Sequence, residues 1–115
     1  VNVALPHPLP EALVDLIARR FRAMSEPTRI RILDRLRDGE ATTADLVETL
    51  DTSQQNVSKH LAVLAGSGLI GRRRDGNKSY YRITDESVLG ICEQVCGAAA
   101  RQLAELHVHL EPLAR

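Results

Sequence analysis

Apolar residues recur at helical spacing almost from the start of the chain. Leu13, Leu16, Ile17 and Phe21 lie three and four apart and predict a first helix from Glu11 to about Ala23. Ser25 is placed to cap a second helix, with Pro27 in the first turn, where its missing N–H does no harm. Ile30, Leu33 and Leu36 form its expected buried stripe, and Gly39 its stop. Thr42 or Thr43 caps a short third helix, and Thr42 with Asp45 three residues on resembles a capping box. Leu46, Val47 and Leu50 are its inward positions. Past Asp51 and Thr52, Ser53 caps a fourth helix running to about Ala65, with Val57, Leu61 and Leu64 facing inward.

Gly66 and Gly68 end that helix, and the period changes from helical to alternating. LIGRRR and KSYYRIT flank Asp75-Gly76-Asn77, a strong hairpin signal. Tyr81 and Ile83 alternate with Tyr80 and Arg82, as in a ribbon with one face on a core. Asp85 then opens a long final helix whose apolar stripe runs Val88, Cys92, Val95, Ala99, Leu103, Leu106, Leu110, near a heptad spacing. Pro6, Pro8 and Pro10 mark the first ten residues as a loose arm. The expected architecture is mainly α, five helices with a small β-hairpin, as a winged helix-turn-helix. Residues 1–115 form one domain in this reading: arm 1–10, helix-turn-helix 42–66, wing 69–84 and final helix 85–110.

Composition narrows the class. A chain of 115 residues suffices for one small core. Aromatics make up only 3% of it, so aliphatic side chains must fill that core. No apolar run reaches the 18 or so residues of a membrane span, so no membrane association is expected. VNVALPHPLP lacks the basic and apolar regions of a signal peptide, and two cysteines do not make a disulfide scaffold. A reducing cytoplasm is the expected location.

The net charge is zero, but its parts are segregated. Residues 1–52 carry seven Arg against nine acids, and residues 85–115 two Arg against five. Between them, residues 53–84 carry six Lys/Arg against Asp75 alone. A basic middle with acidic ends fits a surface that meets a polyanion, although a solvated basic hairpin would look the same by charge.

The fourth helix separates the two cases. Its first turns carry Ser53, Gln54, Gln55, Ser58 and Lys59, away from the inward Val57, Leu61 and Leu64. Gln can bond an adenine edge bidentately and Lys can reach guanine, so the segment is polar where a major groove would lie. His60 has two readings, a phosphate contact or a packing residue. Arg72, Arg73, Arg74 and Lys78 near the hairpin tip are candidates for phosphate or minor-groove contact, with one arginine available to pair with an acid of a second subunit. Double-stranded DNA is the expected partner.

SEPTRIRILDRL (Ser25 to Leu36), TTADLVETLDTSQQNVSKHLAVLAGSGLI (Thr42 to Ile70) and GRRRDGNKSYYRIT (Gly71 to Thr84) together resemble the ArsR/SmtB family of small bacterial winged-helix repressors. The resemblance implies a homodimer joined through its first and last helices. It also implies binding to an inverted-repeat operator and repression until an inducer releases the DNA. The family's metal sites do not carry over. EATTADLVE lacks the cysteine pair that many members hold before the recognition helix. Asp85 matches one ligand position of the other common site, but Ser87, Ala98 and Arg101 stand at the rest.

ICEQVC places Cys92 and Cys96 four apart on the last helix. Three readings stay open: packing as small hydrophobes, a chelate for a soft ion such as Zn, Cd or arsenite, and a thiol redox switch. His107 and His109 lie too far along to share an ion with Cys96 within one helix; they are solvent-facing or join His7 in a second site. No resident cofactor is implied. A thiol oxidoreductase is disfavoured by the C-x-x-x-C spacing and the lack of a βαβ pattern. A winged-helix module without DNA binding is disfavoured by the polar face of the fourth helix, while a ligand-independent regulator with structural cysteines stands as the nearest alternative.

Overall fold

Local hydrogen bonds set the element boundaries. The computed structural model describes residues 4–106, apart from the side chain of Cys92. Leu110, His107 and His109 lie outside the described residues. The helices are α1 (Glu11–Met24), α2 (Pro27–Leu36), α3 (Thr43–Leu50) and α4 (Gln54–Gly66), then α5 (Ser87–Ile91) and α6 (Gly97–Leu106). The strands are β1 (Ala41–Thr42), β2 (Ile70–Asp75) and β3 (Lys78–Ile83). Two compact units result, Val1–Thr84 and Asp85–Arg115.

In the first unit, α3 opens with a reciprocal box. Asp45 N–H donates to Thr42 Oγ1 at 3.0 Å, and Thr42 N–H donates to Asp45 Oδ2 at 2.9 Å. These bonds hold the Asp45 carboxyl below the usual carboxylate range. Asp51 closes α3 in the left-handed region, and Ser53 Oγ accepts from Asn56 N–H at 3.0 Å to start α4.

Helix α2 departs from expectation at two points. Its cap is Glu26, whose carboxylate accepts from Arg29 N–H at 3.1 Å, while the Ser25 hydroxyl donates back to the Arg22 carbonyl. Pro27 directly follows the true cap. The buried stripe is Ile32, Leu33 and Leu36, whereas Ile30 is 46% exposed. An arginine explains the phase. Arg29 occupies the inward position one turn before Ile32 and Leu33, so a stripe counted only over apolar residues misses its start.

The core of this unit is aliphatic. Ile32, Leu33, Leu46, Val57, Leu61, Leu64 and Leu69 are all buried. Helix α1 contributes Ala23 to the buried set, while Val14, Leu16 and Phe21 are exposed. Among the described residues nothing covers Val14 and Phe21, seven apart on one side of α1, or Leu16 on the other.

The sheet has three antiparallel strands in the order β1-β3-β2. The third strand was not expected, because two residues are too few to show alternation. Ala41 pairs with Tyr81, and on the other side Arg72 pairs with Tyr81 and Arg73 with Tyr80. Gly76 takes the positive φ of 64° needed at the first position of a two-residue II′ loop. At Gly71 a Cβ would sit 2.8 Å from Thr84 Cγ2, so any larger residue would force the Thr84 side chain or the strand to shift.

In the second unit Asp85 opens the final helix as its cap, and the first helical residue is Ser87. Asp85 Oδ1 accepts from Ser87 N–H at 3.0 Å and from the Ser87 hydroxyl at 2.6 Å. The helix is continuous from Ser87 to Leu106 but widens to a π turn over Cys92–Cys96. The uniform α-helical heptad is thus broken at the cysteines. Val88 is buried, and Val95, Leu103 and Leu106 are exposed.

Candidate nucleic-acid interface

Helix α4 divides cleanly between its two faces. Val57, Leu61 and Leu64 are buried, which turns Gln54, Gln55, Ser58 and Lys59 outward as expected, and all four are exposed. Ser53 is exposed too, its hydroxyl oxygen already accepting from Asn56. Asn56 Nδ2 donates to Thr52 Oγ1 at 3.1 Å and so stiffens the turn that precedes the helix. The start of α4 and the hairpin tip border one cleft of about 560 Å³, where Gln54 and Lys78 come together with Asp45, Ser79 and Tyr80.

His60 faces inward, and the packing reading replaces the phosphate contact. It is 6% exposed, with Nδ1 at 3.1 Å from Arg29 Nη1. A guanidinium cannot accept, so Nδ1 is the acceptor and the ring proton sits on Nε2. Arg29 also donates from Nε to the Ala23 carbonyl at 2.6 Å and from Nη2 to the Arg22 carbonyl at 3.2 Å. One side chain thus joins the end of α1, the start of α2 and the inner side of α4. Sequence reasoning missed Arg29; extending the α2 stripe back one turn from Leu33 would have found it.

Burial lowers the His60 pKa, Lys59 and Arg29 push the same way, and Glu26 at 3.6 Å opposes them. The neutral form is favoured on folding, so its stabilisation is full above the ordinary histidine range. It is lost as pH falls through the lowered folded value. His60→Asn keeps an acceptor near Nδ1 but does not titrate. Thermal unfolding across pH 4 to 8 should therefore show a smaller acid loss for this variant than for the parent; equal losses would remove His60 from the acid response.

The wing arginines divide by strand alternation. Arg72 and Arg74 share a face with buried Ile70, while Arg73 lies on the opposite face with Tyr80. Arg72, Arg74 and Lys78 are exposed, and their side chains make no ion pair or hydrogen bond among the described residues. Arg73 is committed within its own chain. Its Nη2 and Nε donate to the two oxygens of Glu40 at 2.9 and 3.2 Å, and its guanidinium lies 4.4 Å from the Tyr80 ring centroid. Of the three arginines offered to an acid of a second subunit, Arg73 meets Glu40 of its own chain, and Arg72 and Arg74 remain available. This mutual bond holds the Glu40 carboxyl below its usual range and raises Arg73.

In the second unit, positions 92 and 96 bound the π turn, and Cys96 is an exposed free thiol. Among the described residues, no three His, Cys, Asp or Glu side chains converge on a metal-sized site. His7 is exposed and stands apart from any such cluster. No described helix is long and apolar enough to cross a membrane.

A helix-turn-helix with a polar outer face, followed by a basic antiparallel hairpin, defines a winged helix-turn-helix. Residues 24–73 match the model of a helix-turn-helix domain. The chain is 41% identical over 91 residues to a probable mercury resistance operon repressor of Streptomyces lividans, covering 75% of this chain and 73% of that one. It is 33% identical over 86 residues to the transcriptional repressor SmtB of Mycobacterium tuberculosis, covering 75% of this chain but 64% of the relative. The solution structure of a homodimeric winged helix-turn-helix DNA-binding domain from Mycobacterium bovis, described as a possible ArsR-family regulator, superposes with a TM-score of 0.77 at 30% identity. That likeness covers 89% of this chain and 97% of the other. The chain belongs to the ArsR/SmtB family of winged helix-turn-helix transcriptional regulators.

Proposed function

We propose that the chain is a dimeric transcriptional repressor that binds an inverted-repeat operator, with α4 in the major groove and the wing along the adjacent backbone. The observation that carries this reading is the exposed row Gln54, Gln55, Ser58 and Lys59 on a helix whose other face is fully buried. Base-edge donors and acceptors there supply sequence choice, and Arg72, Arg74 and Lys78 supply phosphate contacts. Exposed Val14 and Phe21 of α1, with exposed Val95, Leu103 and Leu106, supply apolar surface for a second copy. The homodimeric relative supports that pairing, and a DNA operator implies action in the cytoplasm.

The inducer is read as a soft metal, a metalloid or a thiol oxidant acting on Cys92 and Cys96. Two features support it: the exposed Cys96 thiol, and a π turn at the pair, a distortion frequent at functional sites. The Streptomyces lividans relative is named for resistance to mercury, a soft ion that thiolates prefer. Changing operator occupancy tenfold requires only about 1.4 kcal/mol of differential affinity.

The test is operator retardation at two salt concentrations, with affinity expected to fall steeply as salt rises. Parent and Cys92→Ser/Cys96→Ser protein are then compared with Zn, Cd, arsenite and a persulfide donor. The double variant is expected to stay on DNA when the effective inducer releases the parent. Equal release of both proteins would leave the cysteines as packing residues.

A further inference from the structure

We propose that Arg73 and Glu40 clamp the wing to the helix-turn-helix body, making Arg73 a positioning residue while Arg72, Arg74 and Lys78 meet the phosphates. The proposal rests on the DNA-binding reading above. The Arg73 guanidinium meets three groups, although the side chain remains 45% exposed. Its Nε/Nη2 edge forms a two-pronged pair with Glu40, its face lies on Tyr80, and Nη1 is 3.9 Å from Asp75 Oδ2.

The partners span the whole sheet. Glu40 immediately precedes β1, Tyr80 lies in the central β3, and Arg73 lies in β2. Only two residues of β1 pair with the hairpin, Ala41 with Tyr81 and Thr42 with Tyr80, so the ladder alone anchors the wing briefly. The Glu40 pair adds a second attachment at the same edge. A simple exposed ion pair would contribute little, but a bidentate fork combined with ring stacking is the geometry in which such a pair holds position.

Charge places the same limit on Arg73. Paired with Glu40 it presents no net charge to a polyanion, and moving it onto a phosphate would break the fork and leave Glu40 only the weaker pull of Arg82. Arg72 and Arg74 project from the opposite face of β2 without that constraint.

Four variants separate a clamp from a phosphate contact: Glu40→Gln, Arg73→Ala, Arg73→Lys and Arg72→Ala. Operator affinity is measured by anisotropy across a salt series, and wing amide exchange at Lys78–Tyr80 is measured without DNA. The clamp predicts that Glu40→Gln weakens binding several-fold although it removes an acid. Arg73→Lys should weaken it as Arg73→Ala does, because lysine keeps the charge but loses the fork and the stack. Both should leave the log–log salt slope unchanged, whereas Arg72→Ala flattens it by about one unit. Exchange at Lys78–Tyr80 should quicken in the Glu40 and Arg73 variants while core amides such as that of Leu61 stay protected. Tighter binding by Glu40→Gln, a flattened slope for Arg73→Ala, or unchanged wing exchange would each overturn the clamp. Salt-independent or absent binding by the parent would instead sink the DNA-binding reading, and the exchange measurement would still decide the clamp.

Discussion

Leu61→Ala is expected to cost about 2–5 kcal/mol of stability, the range for a fully buried leucine whose site cannot collapse around the void. Leu61 is 1% exposed on the inner side of α4, among Ile32, Leu46, Val57 and Leu64, all equally buried. The loss should appear as a lower urea midpoint at unchanged m-value, since the surface exposed on unfolding hardly changes. At the size of this winged unit, each kcal/mol lowers Tm by about 4–8 °C. Operator affinity measured well below the new Tm should remain close to the parent's, because the outer face of α4, proposed to read the bases, is untouched. A stability loss under about 1 kcal/mol, outside the usual range for such truncations, would mean that α4 is not seated as described.

Gln55→Ala and Ser58→Ala are expected to weaken binding to the operator and leave the fold intact. Both side chains are exposed on the outer face of α4 and bond to nothing else among the described residues. Each lost base contact should reduce discrimination by about 1–3 kcal/mol, roughly 5- to 150-fold in the ratio of specific to non-specific affinity. Non-specific binding, in the proposed docking a matter of the basic wing, should stay within error of the parent's, with the same salt slope. The decisive measurement is that ratio, taken on the operator and on scrambled DNA at one salt concentration. Parent-like ratios in both variants would mean that another face of α4 meets the bases.

Helix existence and order were legible because caps and apolar spacing agree. Thr42 and Asp45 announce α3, Ser53 announces α4, and the aliphatic positions of α4 recur where the buried set is found. The outward face of α4 was legible for the same reason: once Val57, Leu61 and Leu64 are turned inward, the direction of Gln55 and Ser58 follows from helical geometry. The misreadings came where a polar residue does an apolar residue's positional work. Arg29 sits in the inward row of α2 and satisfies its donors on two carbonyls and His60, so the hydrophobic pattern alone shifted the stripe onto Ile30.

The sequence by itself determined the winged helix-turn-helix plan, the segregation of basic residues to the fourth helix and hairpin, and the family resemblance. Those features depend on neighbours within a turn or a hairpin, where spacing dictates geometry. Only the tertiary structure decided which of those polar residues are spoken for. His60 is bound to Arg29, 31 residues away, and Arg73 to Glu40, 33 residues away. Neither pairing has a periodic signature, because a contact across elements depends on how they pack and not on how far apart they lie in the chain. The π turn at Cys92–Cys96 belongs with them, since the local sequence reads as a regular helix. Local pattern thus set what each segment is, and packing set which side chains remain available to a partner.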